Sequence, residues 1–195
     1  MNGVAARAMQ RFVTDCYGRA RWLEVVRAAR LPVASFELLL TYPEDYTGRI
    51  VAAAARLLDR PEADLLEDLG TYLVAHPNSA ALRRLLRYGG ADFETFLTSL
   101  DDLPDRSRLA FPALRVPALR TRAAGPGRWE VECDAPQAGT VHVLMGAIRA
   151  MADDYGALAI LDLVEVGEGP PRIAVSVPEA RCFEGRDFHL GGVVG

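Results

Sequence analysis

Lysine is absent from this chain: all 22 basic residues of 195 are arginine, set against 26 acidic residues for a formal charge of −4. A mildly acidic protein makes a poor nucleic-acid binder, because neutralising phosphates requires a concentrated basic face. The arginine excess, accompanied by many alanines, points to a biased genome rather than to a function. Cysteine is scarce and odd in number. Cys16, Cys133 and Cys182 lie far apart, which signals neither a disulfide framework nor a paired-cysteine zinc site. A reducing, cytoplasmic location is expected. No apolar stretch of 18 residues runs without interruption, and Arg7, Arg11 and Asp15 break up the N-terminal segment, so neither an export signal nor a membrane span is predicted.

Catalytic signatures are missing as well. The sequence has no G-x-S-x-G, no P-loop, no dinucleotide glycine pattern and no histidine placed to activate a particular nucleophile, so a non-enzyme is expected. The adjacent acids Asp101-Asp102 and Asp153-Asp154 point in different directions on their helices and read as solvated faces. What the chain does have is an ordinary globular composition: 50% hydrophobic, 25% charged, Gly 17 and Pro 12. At 21.2 kDa that predicts one domain over 1–195 with a sizeable core.

The first part, about 1–110, reads as helices. Val4, Ala8, Phe12 and Val13 recur at helical spacing and Gly18 stands where that helix stops. A second helix is expected around 20–29. Thr47 is a candidate cap for IVAAAARLLD, and Pro61 suits the first position of PEADLLEDLGTYLVA. Asn78 or Ser79 can cap AALRRLLRY, and Asp92 can cap FETFLTSLDDL, which runs into Pro104. From about 111 to 190 the texture changes. RWEVECD alternates Trp129, Val131 and Cys133 with Glu130, Glu132 and Asp134, the pattern of a half-buried strand. Helical spacing returns over 140–155, then ALAILDLVEV and RIAVSV flank GEGPP as two further strands. The class predicted is α+β, with a helical part packed on an antiparallel sheet that has one helix inserted.

Several phrases, in order, resemble the heme nitric oxide/oxygen binding family, the H-NOX domain of soluble guanylate cyclases and stand-alone bacterial gas sensors. They are CYGRARWLEVVRAARLP, LLEDLGTYLV, ADFETFLTSLDDL and FPALRVPALR, followed by helix, hairpin and a terminal stretch with Phe and His. The resemblance implies a helical subdomain on a four-stranded antiparallel sheet, with a large apolar pocket between them. It also implies a heme, held by a histidine after the LDDL helix and by a Tyr-x-Ser-x-Arg strand whose alternate side chains grip the propionates.

This sequence departs from both requirements. LDDL is followed by Pro104, which offers no lone pair to iron, and no histidine lies between Glu94 and Arg128. The matching strand reads Val131-Glu132-Cys133-Asp134-Ala135. Two propionates would then lose their charge-assisted partners, a cost of roughly several kcal/mol if buried. No heme is expected. An empty apolar void of roughly 400 Å³ would cost on the order of 10 kcal/mol, comparable to a whole domain's stability of about 5–15 kcal/mol. The pocket must therefore collapse, fill with side chains or hold another apolar molecule.

Three readings follow. The favoured one is a heme-free sensor or binding domain for a hydrophobic small molecule, such as a fatty acyl chain, which signals through a separate partner. Family precedent makes that partner a histidine kinase or a cyclic-nucleotide signalling enzyme. The second is a ligand-independent regulatory interaction module. The third is a heme-based NO/O2 sensor with non-standard ligation through His76, His142, His189 or a cysteine, of which Cys133 faces the expected pocket. Candidate pocket residues are Val4, Ala8, Phe12, Leu73, Val74, Leu100, Leu103, Pro104, Val131, Cys133, Leu144 and Met145. Each is also readable as ordinary core, and buried cysteine most often is just that. Cys182 lacks a clear thiolate-stabilising environment. His76, at a helix end, suits the macrodipole as a cation, and His142 reads as a packing or surface residue. A zinc site of Cys133, Cys182 and His189 lacks C-x-x-C spacing, so no metal is expected.

Overall fold

The computed structural model describes residues 3–110, 116–135, 137, 139–164 and 169–178. Four helices come first: α1 (Gly3–Tyr17), α2 (Arg19–Ala28), α3 (Asp45–Leu58) and α4 (Glu62–Ala75). Gly18 separates α1 from α2 with φ of 87°, a conformation that costs a residue without Cβ little. The buried stripes of these helices meet in one core that includes Met9, Phe12, Val13, Trp22, Ile50, Leu65 and Tyr72. Phe36, from the α2–α3 connection, fills the same core with no exposed surface.

The second half builds a second core. Helices α5 (Ala80–Arg87), α6 (Phe93–Thr98) and α7 (Leu103–Ala110) lead into strands β1 (Ala118–Gly125) and β2 (Arg128–Asp134), then α8 (Thr140–Tyr155), β3 (Ile160–Val164) and β4 (Arg172–Ser176). All strand pairings are antiparallel, in the order β1-β2-β4-β3. Leu119, Val131, Cys133, Leu161, Ile173 and Val175 join Leu100, Leu103, Met145, Ile148 and Met151 in this core. The opposite sheet face is ionic. Arg122 donates to Glu130 at 2.6 and 3.0 Å, and Arg172 lies 3.4 Å from Glu132.

Helices α4 and α8 join the two halves backbone to backbone. A Cβ on Gly70 would lie 2.0 Å from the Val143 carbonyl oxygen, and one on Gly146 would lie 1.9 Å from that of Glu67. Only glycine permits this approach on both sides. Thr71 Oγ1 donates to the Gly146 carbonyl at 3.3 Å, and Arg149 pairs with Glu67 at 2.7 Å beside it.

Some local expectations are corrected. Helix α3 starts at Asp45, so Thr47 sits inside its first turn rather than capping it. Asp45 favours the earlier start by complementing the helix dipole and pairing with Arg49 one turn on. Neither Asn78 nor Ser79 caps α5 with its side chain. A 3-10 turn (Pro77–Ser79) precedes that helix, and His76 Nδ1 accepts from the Asn78 amide at 3.3 Å. Asp92 does cap α6, accepting from the Thr95 amide at 2.8 Å. Pro104 does not end a helix. A 3-10 turn (Ser99–Asp102) intervenes, and Pro104 occupies the first turn of α7, where a missing amide hydrogen is tolerated.

The paired acids are also more than solvated faces. Asp101 Oδ1 accepts from the Thr121 amide at 2.6 Å, satisfying an edge donor of β1. Asp154 is gripped by Arg83 and Arg87.

Candidate functional site

The inner face of β2 and the start of α7 carry the positions on which the expected chemistry turns. Strand alternation sends Val131 and Cys133 inward, both with no exposed surface, and Ala135 packs against the same core. Burial pushes the Cys133 thiol up to about 11, with Asp134 adding to the effect, so at neutral pH it is an inert thiol rather than a thiolate. Leu100 and Leu103 are buried, whereas Pro104 is half-buried and its carbonyl accepts from Ser107 Oγ at 2.8 Å.

The expected pocket residues divide between the two cores. Val74, Leu100, Leu103, Val131, Cys133, Leu144 and Met145 belong to the sheet-side core. Ala8, Phe12 and Leu73 belong to the helical one, and Val4 is half-buried in α1. Leu73 and Val74 are neighbours on α4 and divide between the two cores, as Val143 and Leu144 do on α8, so both helices touch both groups. Two grooves open to solvent are lined by described residues. One, of about 240 Å³, lies among Ala28, Ala29, Arg30, Arg49, Ala52, Ala53 and Arg56. The other, of about 370 Å³, lies among Ala80, Arg83, Arg84, Arg87 and Asp154. Neither is lined by any of the twelve expected residues.

The remaining candidate ligands sit elsewhere. His76 closes α4, its ring tilted by 31° against that of Tyr72 with centroids 4.6 Å apart, and its Nδ1 is 3.9 Å from Asp15. Tyr72 donates to the same carboxylate at 2.6 Å, and chiefly this bond holds Asp15 below the usual carboxylate range. His142 occupies the first turn of α8, where its buried Nδ1 lacks a hydrogen-bond partner and lies 3.6 Å from Glu67. Cys182 and His189 lie outside the described residues. Among the described residues no group of three or more His, Cys, Asp or Glu is placed to hold a metal.

The side chains at the decisive positions do not suit an iron porphyrin held as the resemblance implies. Proline cannot ligate iron, and Val131, Cys133 and Ala135 present no cation and no strong donor to a pair of carboxylates. Two inward polar atoms escaped the sequence reading. Thr121 Oγ1 and Trp129 Nε1, on neighbouring strands, are buried without a hydrogen-bond partner. The period-two pattern of RWEVECD exposes Trp129 as an inward residue, but nothing in the sequence indicates that its indole N–H goes unanswered.

Comparison with known proteins settles the ancestry of this arrangement. The family model described as Haem-NO-binding (HNOB) matches residues 2–159. This chain belongs to the HNOB family. The fold agrees: an unliganded Fe(II) H-NOX protein from K. algicida superposes with a TM-score of 0.75 at 14% identity, covering 92% of this chain and 97% of that one. An H-NOX protein from S. oneidensis in the Fe(II)NO state gives 0.76 at 15% identity, with coverages of 91% and 99%.

Two soluble guanylate cyclases of Caenorhabditis elegans are also similar. Gcy-31 is 20% identical over 167 residues, and gcy-35 is 25% identical over 155. The HNOB chain spans only 24% and 22% of their lengths. The expected family, the helical subdomain and the four-stranded antiparallel sheet are therefore all present. No helix among the described residues is long and apolar enough to cross a membrane.

Proposed function

We propose that this HNOB domain is a heme-free sensor or binding module for a hydrophobic small molecule, such as a fatty acyl chain. It passes its state to a separate protein, a histidine kinase or cyclic-nucleotide signalling enzyme, in the cytoplasm, and has no catalytic role of its own. One observation carries the reading: Pro104 cannot ligate iron where the family resemblance expects a histidine, and Val131, Cys133 and Ala135, the first two fully buried, present no cation and no strong donor to propionates. Such a surface favours an apolar guest, which needs no charged clamp. Leu100, Leu103, Pro104, Val131, Cys133, Leu144 and Met145 are its proposed sheet-side lining. Val4, Ala8, Phe12, Leu73 and Val74 are the proposed helical side.

Native mass spectrometry of the purified chain, followed by solvent extraction, tests this directly. The expected result is one acyl-bearing molecule per chain. A bare protein mass with a blank extract would overturn it.

A second reading is favoured by a different observation. Two grooves lined by described residues lie at the surface, while Leu100, Leu103, Val131, Cys133 and Met145 belong to a continuous buried core. A domain that has closed its ancestral pocket with its own side chains would act through its surface alone. The bare mass that overturns the first reading supports this one.

A further inference from the structure

The connection between α2 and α3 exposes the largest run of apolar side chains among the described residues. Leu38, Leu39 and Leu40 are 49%, 87% and 55% exposed. Three consecutive leucines in water require an explanation where single ones do not. Slack chain does not supply it, because the turn is pinned on every side. Trp22 Nε1 donates to the Ala34 carbonyl at 2.7 Å, and the Phe36 amide donates to Gln10 Oε1 at 3.0 Å. The Phe36 ring is sunk against Trp22 and Tyr42. The Glu37 amide donates to Tyr42 Oη at 2.9 Å, and the Leu40 carbonyl accepts from the Gly3 amide at 2.9 Å. Gly3 backs the turn so closely that a Cβ there would lie 1.9 Å from the Glu37 carbonyl oxygen. The leucines are thus held outward on a preformed turn, which reduces the ordering cost of docking.

Charge selects the partner. In a chain with 22 arginines, residues 31–48 contain none, and no histidine, but include Glu37, Glu44 and Asp45. Arg7 reaches the start of the segment at Ser35, and Arg49 pairs with Asp45 at its far end. Among the described residues neither Glu37 nor Glu44 enters an ion pair. An apolar turn in a segment whose own charged residues are all acidic disfavours anionic lipid and complements a basic amphipathic helix.

We infer that the Leu38–Leu40 turn, with Glu37 and Glu44, is a docking surface for a basic amphipathic helix of a separate protein. The inference holds whether or not the domain carries an apolar ligand. Its probe is an 18-residue helical peptide with leucines at i, i+3, i+4 and i+7 and arginines on the flanks. A matching glutamate peptide and vesicles of phosphatidylcholine, with and without phosphatidylglycerol, serve as comparisons.

The full chain should bind the arginine peptide in fluorescence anisotropy, more weakly as salt rises, and prefer it to the glutamate peptide and to both vesicles. L38S/L39S should weaken that binding at least tenfold, and E37R/E44R should reverse the preference toward the glutamate peptide. Leu39→Ser alone repeats the test at an 87% exposed position where folding is not at stake. The inference is overturned if the arginine peptide fails to bind, or binds the leucine variants equally well. It is also overturned if the vesicles are preferred, or if sedimentation shows a dimer of the chain that Leu39→Ser dissolves.

Discussion

Gly146→Ala and Gly48→Ala make the same chemical change in helices of the same protein, yet the structure requires opposite signs. At Gly146 the new methyl would lie 1.9 Å from the Glu67 carbonyl oxygen, where ordinary contact begins at 3.4 Å. The obstacle is backbone of α4, so relief means parting α4 from α8 by more than an ångström. Overpacking of this kind costs about 1–3 kcal/mol, with a rigid neighbour at the upper end. Alanine recovers about 1 kcal/mol of helix propensity. The net expectation is a destabilisation of about 1–2 kcal/mol, or roughly 2–8 °C in Tm for a chain of this size.

Gly48 lies inside α3 with nothing within 4 Å of its would-be Cβ. There only the propensity gain remains, about 0.5–1 kcal/mol of stabilisation. Urea denaturation of both variants beside the parent, at equal m-value, measures the difference. If Gly146→Ala proves neutral or stabilising, the backbone contact between α4 and α8 is wrong, and with it the account of how the two cores are joined.

Tyr72→Phe should cost about 1.5–3 kcal/mol at pH 7, the usual net contribution of a hydrogen bond to a charged group. The folded protein holds Asp15 below its ordinary 3.8 and burial pushes Tyr72 upward. The bond therefore contributes fully between about pH 4 and pH 10, and its contribution fades as pH falls through Asp15's lowered value. Repeating the unfolding at pH 7 and near pH 3 checks that the gap between parent and variant narrows in acid. In alkylation followed by peptide mapping at pH 8, exposed Cys16 should be modified well before Cys133, which should react only on unfolding; early labelling of Cys133 would contradict its burial. The quadruple variant Pro104→His, Val131→Tyr, Cys133→Ser, Ala135→Arg should take up hemin and show a Soret band if the space between the cores can still open. A correctly folded variant, by circular dichroism, that stays colourless would place a collapsed core there instead.

Much of the architecture was legible in the sequence because its signals are periodic. The i, i+4 spacing of α1, the alternation of RWEVECD and the return to helical spacing over 140–155 all mark elements the structure contains. Boundaries were less so. Pro104 reads as a stop, and only the intervening 3-10 turn lets it open α7 instead. Thr47 is a good cap by type, but Asp45 and its partner Arg49 draw the helix start earlier.

The substitutions at 104, 131, 133 and 135 needed no structure to be seen, being departures from a pattern. What could not be seen is long-range. The mutual approach of Gly70 and Gly146, the Asp101 contact to β1 and the division of Leu73 from Val74 between two cores depend on packing across distant segments. The exposure of Leu38, Leu39 and Leu40 was equally hidden, since a run of leucines ordinarily announces a core.

The central claim, that an inherited heme fold has lost the groups that hold heme, is tested most directly by an absorption spectrum. The chain should be produced under excess heme supply, purified, and then titrated with hemin. The account predicts no Soret band in the purified protein and no saturable uptake in the titration. A red protein that carries one tightly held heme per chain would contradict it.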